Sequence, residues 1–412
     1  MSQAEATRTE SIDEQEHARD ADDKKPKSRR PANTAFRQQR LKAWQPILTP
    51  KSVLPLFFIV GVLFAPIGGV LIWASSQVQE ISLDYSDCIK LAPNVSSSDV
   101  ITSGNNAYLS PDLVSSTFRT KSSQKPKPYW SKTCDSSDLC TCHLFFEIPN
   151  ELPAPVYMYY RLTNFYQNHR RYVQSLELDQ LKGTAVPNST ISGGTCSPLD
   201  IDPVTKKAYY PCGLIANSQF NDTIGNPVNL NLNSTYNMSK NGIAWASDKD
   251  LIKKTQYQPD EVVPPRNWER RYPDGYNASN MPNLHTDEDF MVWMRTAGLP
   301  AFSKLSRRSD DASMPEGLYL LDIVDNFPVT EYDGTKSILI STRTVMGGKN
   351  PSMGIAYVVI GGVCVLLGVL FTIAHLVRPR KLGDHTYLTW ESNQPSTAVA
   401  TGRDDRFGPN AI

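Results

Sequence analysis

The chain has 412 residues, enough for one large folded domain or two small ones. Its 42 basic and 42 acidic side chains balance, so net charge gives no ground for a nucleic-acid partner. Mean hydropathy is that of a soluble protein, yet Ser52 to Gln79 and Asn350 to Ala374 contain no charged side chain at all.

The chain opens on a polar tail. An acidic stretch (Asp13, Glu14, Glu16, Asp20, Asp22, Asp23) runs into a basic one (Lys24, Lys25, Lys27, Arg29, Arg30). Residues 1–32 are too poor in apolar groups to bury a core and are expected to be disordered. The next segment, NTAFRQQRLKAWQPILTP from Asn33, sets Phe36, Leu41, Trp44, Ile47 and Leu48 among basic residues. That composition suits a segment lying on a membrane surface or docked on a partner, with Phe36 and Trp44 as contacts.

The first charge-free run exceeds the ~20 apolar residues that cross a bilayer. It begins some 50 residues in, behind a charged tail, so it reads as an uncleaved anchor and not as a signal peptide. Arg29, Arg30, Arg37, Arg40, Lys42 and Lys51 precede it, whereas Glu80, Asp84 and Asp87 follow. After the second run come Arg378, Arg380 and Lys381. Lysine and arginine favour the cytoplasmic side, which puts both tails there. The resulting boundaries are a cytoplasmic tail 1–52, spans 53–76 and 350–377, a lumenal or extracellular domain 77–349, and a second cytoplasmic tail 378–412.

Two features of the intervening domain agree with an oxidising compartment. Six of the seven cysteines lie in it (Cys88, Cys134, Cys140, Cys142, Cys196, Cys212), the seventh being Cys364 in the second span. All six Asn-x-Ser/Thr sequons lie there too, at Asn94, Asn188, Asn221, Asn233, Asn237 and Asn277. Period-two alternation marks strands at Val156–Leu162, at Val228–Asn233 and around Ile338 and Ile340. One helix is expected from an N-cap at Thr286 through Phe290, Met291, Trp293 and Met294 to a stop at Gly298, and a second over Asn164–Val173. The fold class is a membrane protein with two transmembrane α-helices and a large, mainly antiparallel β domain, a disulfide-stapled sandwich with short helices.

No catalytic signature is present: there is no G-x-S-x-G, H-E-x-x-H or G-x-x-x-x-G-K-[ST] string, and the six histidines show no metal-ligand spacing. Neither span has an ionisable residue at mid-depth, where a transport path or proton relay usually has one. No enzyme activity, metal or cofactor is therefore expected. What remains are docking features. The string Asn164-Phe-Tyr-Gln-Asn168-His169-Arg170-Arg171-Tyr172 offers Asn168, His169, Arg170 and Arg171 to an anionic partner; the alternative is that the arginines pair with acids of the domain. Gly354, Gly361 and Gly368 recur every seven residues, as do Gly61 and Gly68, so each set lies on one helix face. In lipid such faces pack closely, either on the other span or on a partner. Two other readings of the same topology are a two-span homo-oligomeric ion channel and a receptor.

Six strings in order resemble the accessory β-subunits of lipid-flippase P-type (class four) ATPases, the family named for cell-division-control protein fifty and ligand-effect modulator three. They are the segment from Asn33 quoted above, NFYQNHRRYVQS from Asn164, PCGLIANSQFNDT from Pro211, GIAWASDKDLIKK from Gly242, DEDFMVWMRTAGLPAFSKL from Asp287 and NPSMGIAYVVIGG from Asn350. The resemblance covers residues 33–390 and is of the fungal type. It implies a non-catalytic subunit in a one-to-one complex with a ten-span ATPase that moves phospholipid to the cytoplasmic leaflet. It implies that the subunit is needed for the complex to leave the endoplasmic reticulum, in membranes of the secretory and endocytic route (Golgi, endosomes, plasma membrane). It also implies bridges Cys196–Cys212, Cys88–Cys142 and Cys134–Cys140, although four cysteines allow three connectivities and spacing does not choose among them. Asn221, inside a family string, is the first choice for an N-linked glycan.

Overall fold

The computed structural model describes residues 33–41, 49–96, 107–120, 127–136, 139–343 and 348–379. Residues 1–32, Trp44 and the tail beyond 379, with Arg380 and Lys381, lie outside the described residues. The chain divides into two compact units, one of residues 1–57 with 368–412 and one of 58–367, and the division cuts both long helices.

Those helices are α1 (Pro50–Ser76) and α3 (Ser352–Val377), with α2 (Glu288–Met294) between them in sequence. Pro50 opens α1, a position where its missing N–H leaves nothing unbonded. At 1.5 Å per residue the 27 and 26 residues of α1 and α3 reach about 40 Å, more than the ~30 Å hydrocarbon core. Their outer faces are apolar and exposed, as at Leu56, Ile59, Val62, Val70, Val359 and Leu366. The chain is a two-span integral membrane protein with a β domain between the spans.

That domain is built on eight principal strands: β1 (Glu80–Asp84), β2 (Val114–Thr117), β3 (Tyr129–Cys134), β4 (Cys140–Ile148), β5 (Val156–Leu162), β6 (Phe302–Ser309), β7 (Gly317–Asp325) and β8 (Lys336–Thr342). One sheet runs β6-β5-β8-β1-β2, antiparallel throughout. The other is centred on β7-β4-β3, with two-residue strands at its margins. Ile81, Leu83, Met158, Leu162, Ile338 and Ile340 of the first sheet share one core with Trp130, Leu144, Phe146, Tyr319, Leu321 and Ile323 of the second. A core shared by two inner faces defines a sandwich. A second core, around Leu181, Tyr210, Trp268, Leu284, Phe290 and Met291, fills the long insertion between β5 and β6. Helix α2 joins the two: Phe290 and Met291 belong to the second core and Trp293 to the first.

The disulfides are Cys88–Cys142, which ties the segment after β1 to β4, Cys134–Cys140 across the β3–β4 hairpin, and Cys196–Cys212 within the insertion. Loop-closure entropy predicts roughly 2–4 kcal/mol from each.

Three local expectations need correction. The helix cap is Asp287, not Thr286: its carboxylate accepts from the Phe290 N–H at 2.9 Å, and Thr286 turns back to the Asn283 carbonyl. The segment Asn164–Val173 is helical only over Arg170–Val173, because Asn164 takes a positive φ of 55° and the next residues form a turn. The alternation at Val228–Asn233 is a hairpin and not one strand. Asn229 is the buried residue there, and its Oδ1 accepts the Asn231 and Leu232 amides at 3.0 Å, which reverses the chain.

Candidate partner-binding surface

The first span leads directly into β1, which pairs with β8. Gln79, between α1 and β1, donates its N–H to Thr342 Oγ1 and accepts the Thr342 N–H, both at 2.9 Å, and Glu80 stands opposite Ser341 in the β1–β8 ladder. Lys349 Nζ lies 3.6 Å from Glu80 Oε1, and Asn350 N–H donates to Ser75 Oγ at 3.0 Å. The described ends of the helix pair and of the β1–β8 strand pair are thus tied to each other.

The helix pair is closed by its glycines. A Cβ added at Gly68 falls 2.7 Å from the Gly354 carbonyl oxygen, and one at Gly361 falls 2.9 Å from the Ala65 nitrogen. Gly61 meets Val365 and Gly361, and the rings of Phe64 and Tyr357 meet at a tilt with centroids 5.0 Å apart. Gly368 is buried as well. The glycines expected to bind a partner, Gly61, Gly68, Gly354 and Gly361, are therefore committed to each other, since only a missing side chain lets two backbones approach so closely. Among the described glycines of the spans, Gly69 and Gly362 remain open, with nothing within 4 Å of an added Cβ.

The basic-aromatic string is split by its turn into an inner and an outer set. Phe165 packs among Tyr172, Trp293, Phe302, Phe327 and Tyr332 with ring centroids 5.5–6.3 Å apart. Gln167 is fully buried, and its Oε1 accepts the Ala297 N–H at 2.9 Å. Asn168 Nδ2 donates to the Gly298 carbonyl at 3.0 Å. These anchors leave Tyr166, His169, Arg170, Arg171 and Val173 exposed. Among the described residues, Arg170 and Arg171 pair with no acid of their own chain. The expectation that internal acids neutralise them is not met.

The end of α2 and the loop after it carry an exposed face that sequence reasoning missed. Leu299, on the loop held by Gln167 and Asn168, is 70% exposed, and Trp245 is 64% exposed. The Arg295 guanidinium sits 3.9 Å over the Trp245 ring while its Nη2 pairs with Asp248 at 2.8 Å. A large ring held rigid in solvent by a cation is a frequent anchor of protein interfaces. Of the N-terminal contacts, Phe36 is 78% exposed in its described segment.

Lys304 on β6 supports this face from behind. Its Nζ donates to the carbonyls of Val292 (2.9 Å), Trp293 (3.0 Å) and Arg295, capping the end of α2. Burial pushes its ammonium down to about 7, with Arg295 adding in the same direction. The unfolded lysine, at 10.5, holds a proton that the fold has released, so stability rises with pH between about 7 and 10.5. The slope expected in thermal or denaturant unfolding is up to ~1.4 kcal/mol per pH unit, and Lys304→Met is expected to remove it. An unchanged slope in that variant assigns the titration elsewhere.

One constellation resembles a catalytic one. Thr133, His143 and Asp322 stand in line across β3, β4 and β7, with His143 2.9 Å from Thr133 Oγ1 and 2.6 Å from Asp322 Oδ1. The order is hydroxyl–imidazole–carboxylate, but the large cleft of this domain includes none of the three. Here they tie neighbouring strands. The described residues contain no cluster of three or more potential metal ligands. All six sequon asparagines are exposed.

The fold defines a two-span membrane protein with a disulfide-stapled β-sandwich between its spans. A family profile described as the LEM3 (ligand-effect modulator 3) family / CDC50 family matches residues 71–381. The chain belongs to that family. It is 42% identical over 369 residues to the "phospholipid-transporting ATPase accessory subunit CRF1" of Saccharomyces cerevisiae, covering 89% of this chain and 90% of that protein. It is 41% identical to the accessory subunit CDC50 of Chaetomium thermophilum (91% and 94% covered) and 34% identical to cell cycle control protein 50B of Homo sapiens (84% and 93%).

Proposed function

We propose that this chain is the non-catalytic β-subunit of a phospholipid-transporting P-type ATPase, in a one-to-one heterodimer with a ten-span α-subunit. The observation that carries this reading is near full-length similarity to accessory subunits of such ATPases, on a fold whose conspicuous exposed features are docking groups. Both tails are cytoplasmic, the β domain is lumenal or extracellular and N-glycosylated, and the subunit accompanies its pump out of the endoplasmic reticulum towards Golgi, endosomes and plasma membrane. Mechanically, a pump must open and close a lipid path while its lumenal loops stay ordered. The bonds that tie the helix pair to the β1–β8 strand pair give those loops a platform fixed to the membrane-embedded helices.

The test is a mild-detergent purification of the tagged chain from its own membranes, with mass spectrometry of what co-purifies. A single large P-type ATPase in equal amount is the expected result. A homo-oligomer without an ATPase overturns the reading in favour of a channel. Within the complex, Arg170 and Arg171 meet acidic groups of the pump. Arg170→Ala with Arg171→Ala is expected to reduce co-purifying ATPase about tenfold, as loss of ~1.4 kcal/mol at a charged contact would. Intact assembly and intact export in that variant remove the arginines from the interface.

A further inference from the structure

The β domain holds a cleft of about 930 Å³ bordered by both cores, within the ~300–1,000 Å³ typical of ligand pockets. Its charged wall groups are already matched. Lys240 pairs with Asp289 at 2.8 Å, Arg270 donates to Asn326 at 2.6 Å, and Arg271 lies over the rings of Trp268 and Tyr272. The carboxamides of Gln219, Asn241 and Asn267, which also line it, make no hydrogen bond among the described residues. A wall whose charged groups already have partners, with free carboxamides between them, suits a ligand rich in hydroxyl and amide groups. Carbohydrate has that chemistry.

The cleft has such a ligand tethered to it. Asn221, the acceptor of the sequon Asn221-Asp222-Thr223, is itself part of the lining. It cannot swing away, because Asp222 Oδ1 accepts the Asn326 and Phe327 amides at 2.6 Å and Asp222 Oδ2 accepts from Lys336 at 2.8 Å. A tether of this length gives an effective concentration in the millimolar range or above, so weak contacts suffice. We propose that the cleft seats the inner, N-acetylglucosamine-containing core of the chain's own glycan at Asn221. The glycan then bridges the two cores from outside.

This inference rests on the lumenal placement proposed above, and its test separates the two. The complex, purified with its native glycans, is digested with endoglycosidase H, and release at each sequon is followed by glycopeptide mass spectrometry. The digestion is run on the assembled complex, on the chain stripped of its ATPase, and on denatured chain. The Asn221 glycan is expected to be cut at least tenfold more slowly than the other occupied sites in both native samples, and equally fast after denaturation. Asn241→Ala with Asn267→Ala, both exposed positions, is expected to abolish that protection while leaving Asn221 occupied. An unmodified Asn221, equal native rates, or protection that survives the double variant overturns the proposal. Protection that vanishes on stripping the ATPase assigns the cleft to the pump and overturns it too. A chain without any glycan fails the lumenal placement itself.

Discussion

Lys336→Met is expected to destabilise the β domain by about 3–5 kcal/mol, the cost of breaking a buried charge group by removing one partner. Lys336 is 1% exposed at the start of β8. Its Nζ donates to Asp222 Oδ2 at 2.8 Å, Asp325 Oδ1 at 2.6 Å and the Phe327 carbonyl at 2.8 Å. Tyr85 OH donates to the same Asp222 oxygen at 2.9 Å. One side chain thus ties the end of β7, the start of β8, the loop after β1 and the Asn221 turn. Burial and the neighbouring Asp222 already hold the Asp325 carboxyl above its ordinary value. Without the ammonium, two carboxylates remain in a dry site facing each other. For a domain of this size the loss corresponds to a fall of about 10 °C in Tm, read by thermal unfolding of the purified full chain. Adding Asp325→Asn is expected to restore part of it, since the excess negative charge is then removed with the lysine. A Lys336→Met chain that melts within 2 °C of the parent shows that the clasp contributes little.

That clasp also marks where sequence reading stops. The spans were legible because some 25 residues without a charge are costly to explain otherwise, and the sandwich because Val156–Leu162 and Ile338–Ile340 alternate over one face. Basic-aromatic composition singled out the string at Asn164, yet its inner and outer faces were not visible in it. A periodicity argument assigns no direction in a turn, and Asn164 at positive φ breaks the helical pattern that the following residues suggest. The burial of Lys304 and Lys336 has no sign in the sequence, because lysine is seldom buried unless paired and their partners lie in other segments: carbonyls of α2 for the first, Asp222 and Asp325 for the second. The Trp245–Arg295 stack was missed for the same reason, its two halves being 50 positions apart. The glycine spacing identified a packing face correctly but not what it packs against; distances, which sequence does not carry, decide that.

Those distances make the second strong prediction. In Gly68→Leu the new Cβ meets the Gly354 oxygen and the Val358 nitrogen, both at 2.7 Å, and backbone cannot yield as a side-chain tip can. The helices must separate, at about 1–3 kcal/mol for an overpacked site and with loss of the close contact that alone favours pairing in lipid. Because α1 leads into β1 and Lys349 and Asn350 reach Glu80 and Ser75 beside it, the separation strains the Gln79–Thr342 junction as well. The expected result is a lower Tm of the full chain together with a tenfold or greater loss of co-purifying ATPase. Gly69→Leu and Gly362→Leu are the matched comparison, since an added Cβ there meets nothing. They are expected to leave the Tm unchanged. If they also leave ATPase recovery unchanged, the pump does not dock on that face of the helix pair. If recovery falls at constant Tm, Gly69 and Gly362 are the small residues against which a pump helix packs. A Gly68→Leu chain that matches the parent in both readouts means that the two helices are not in close contact at Gly68 and Gly354.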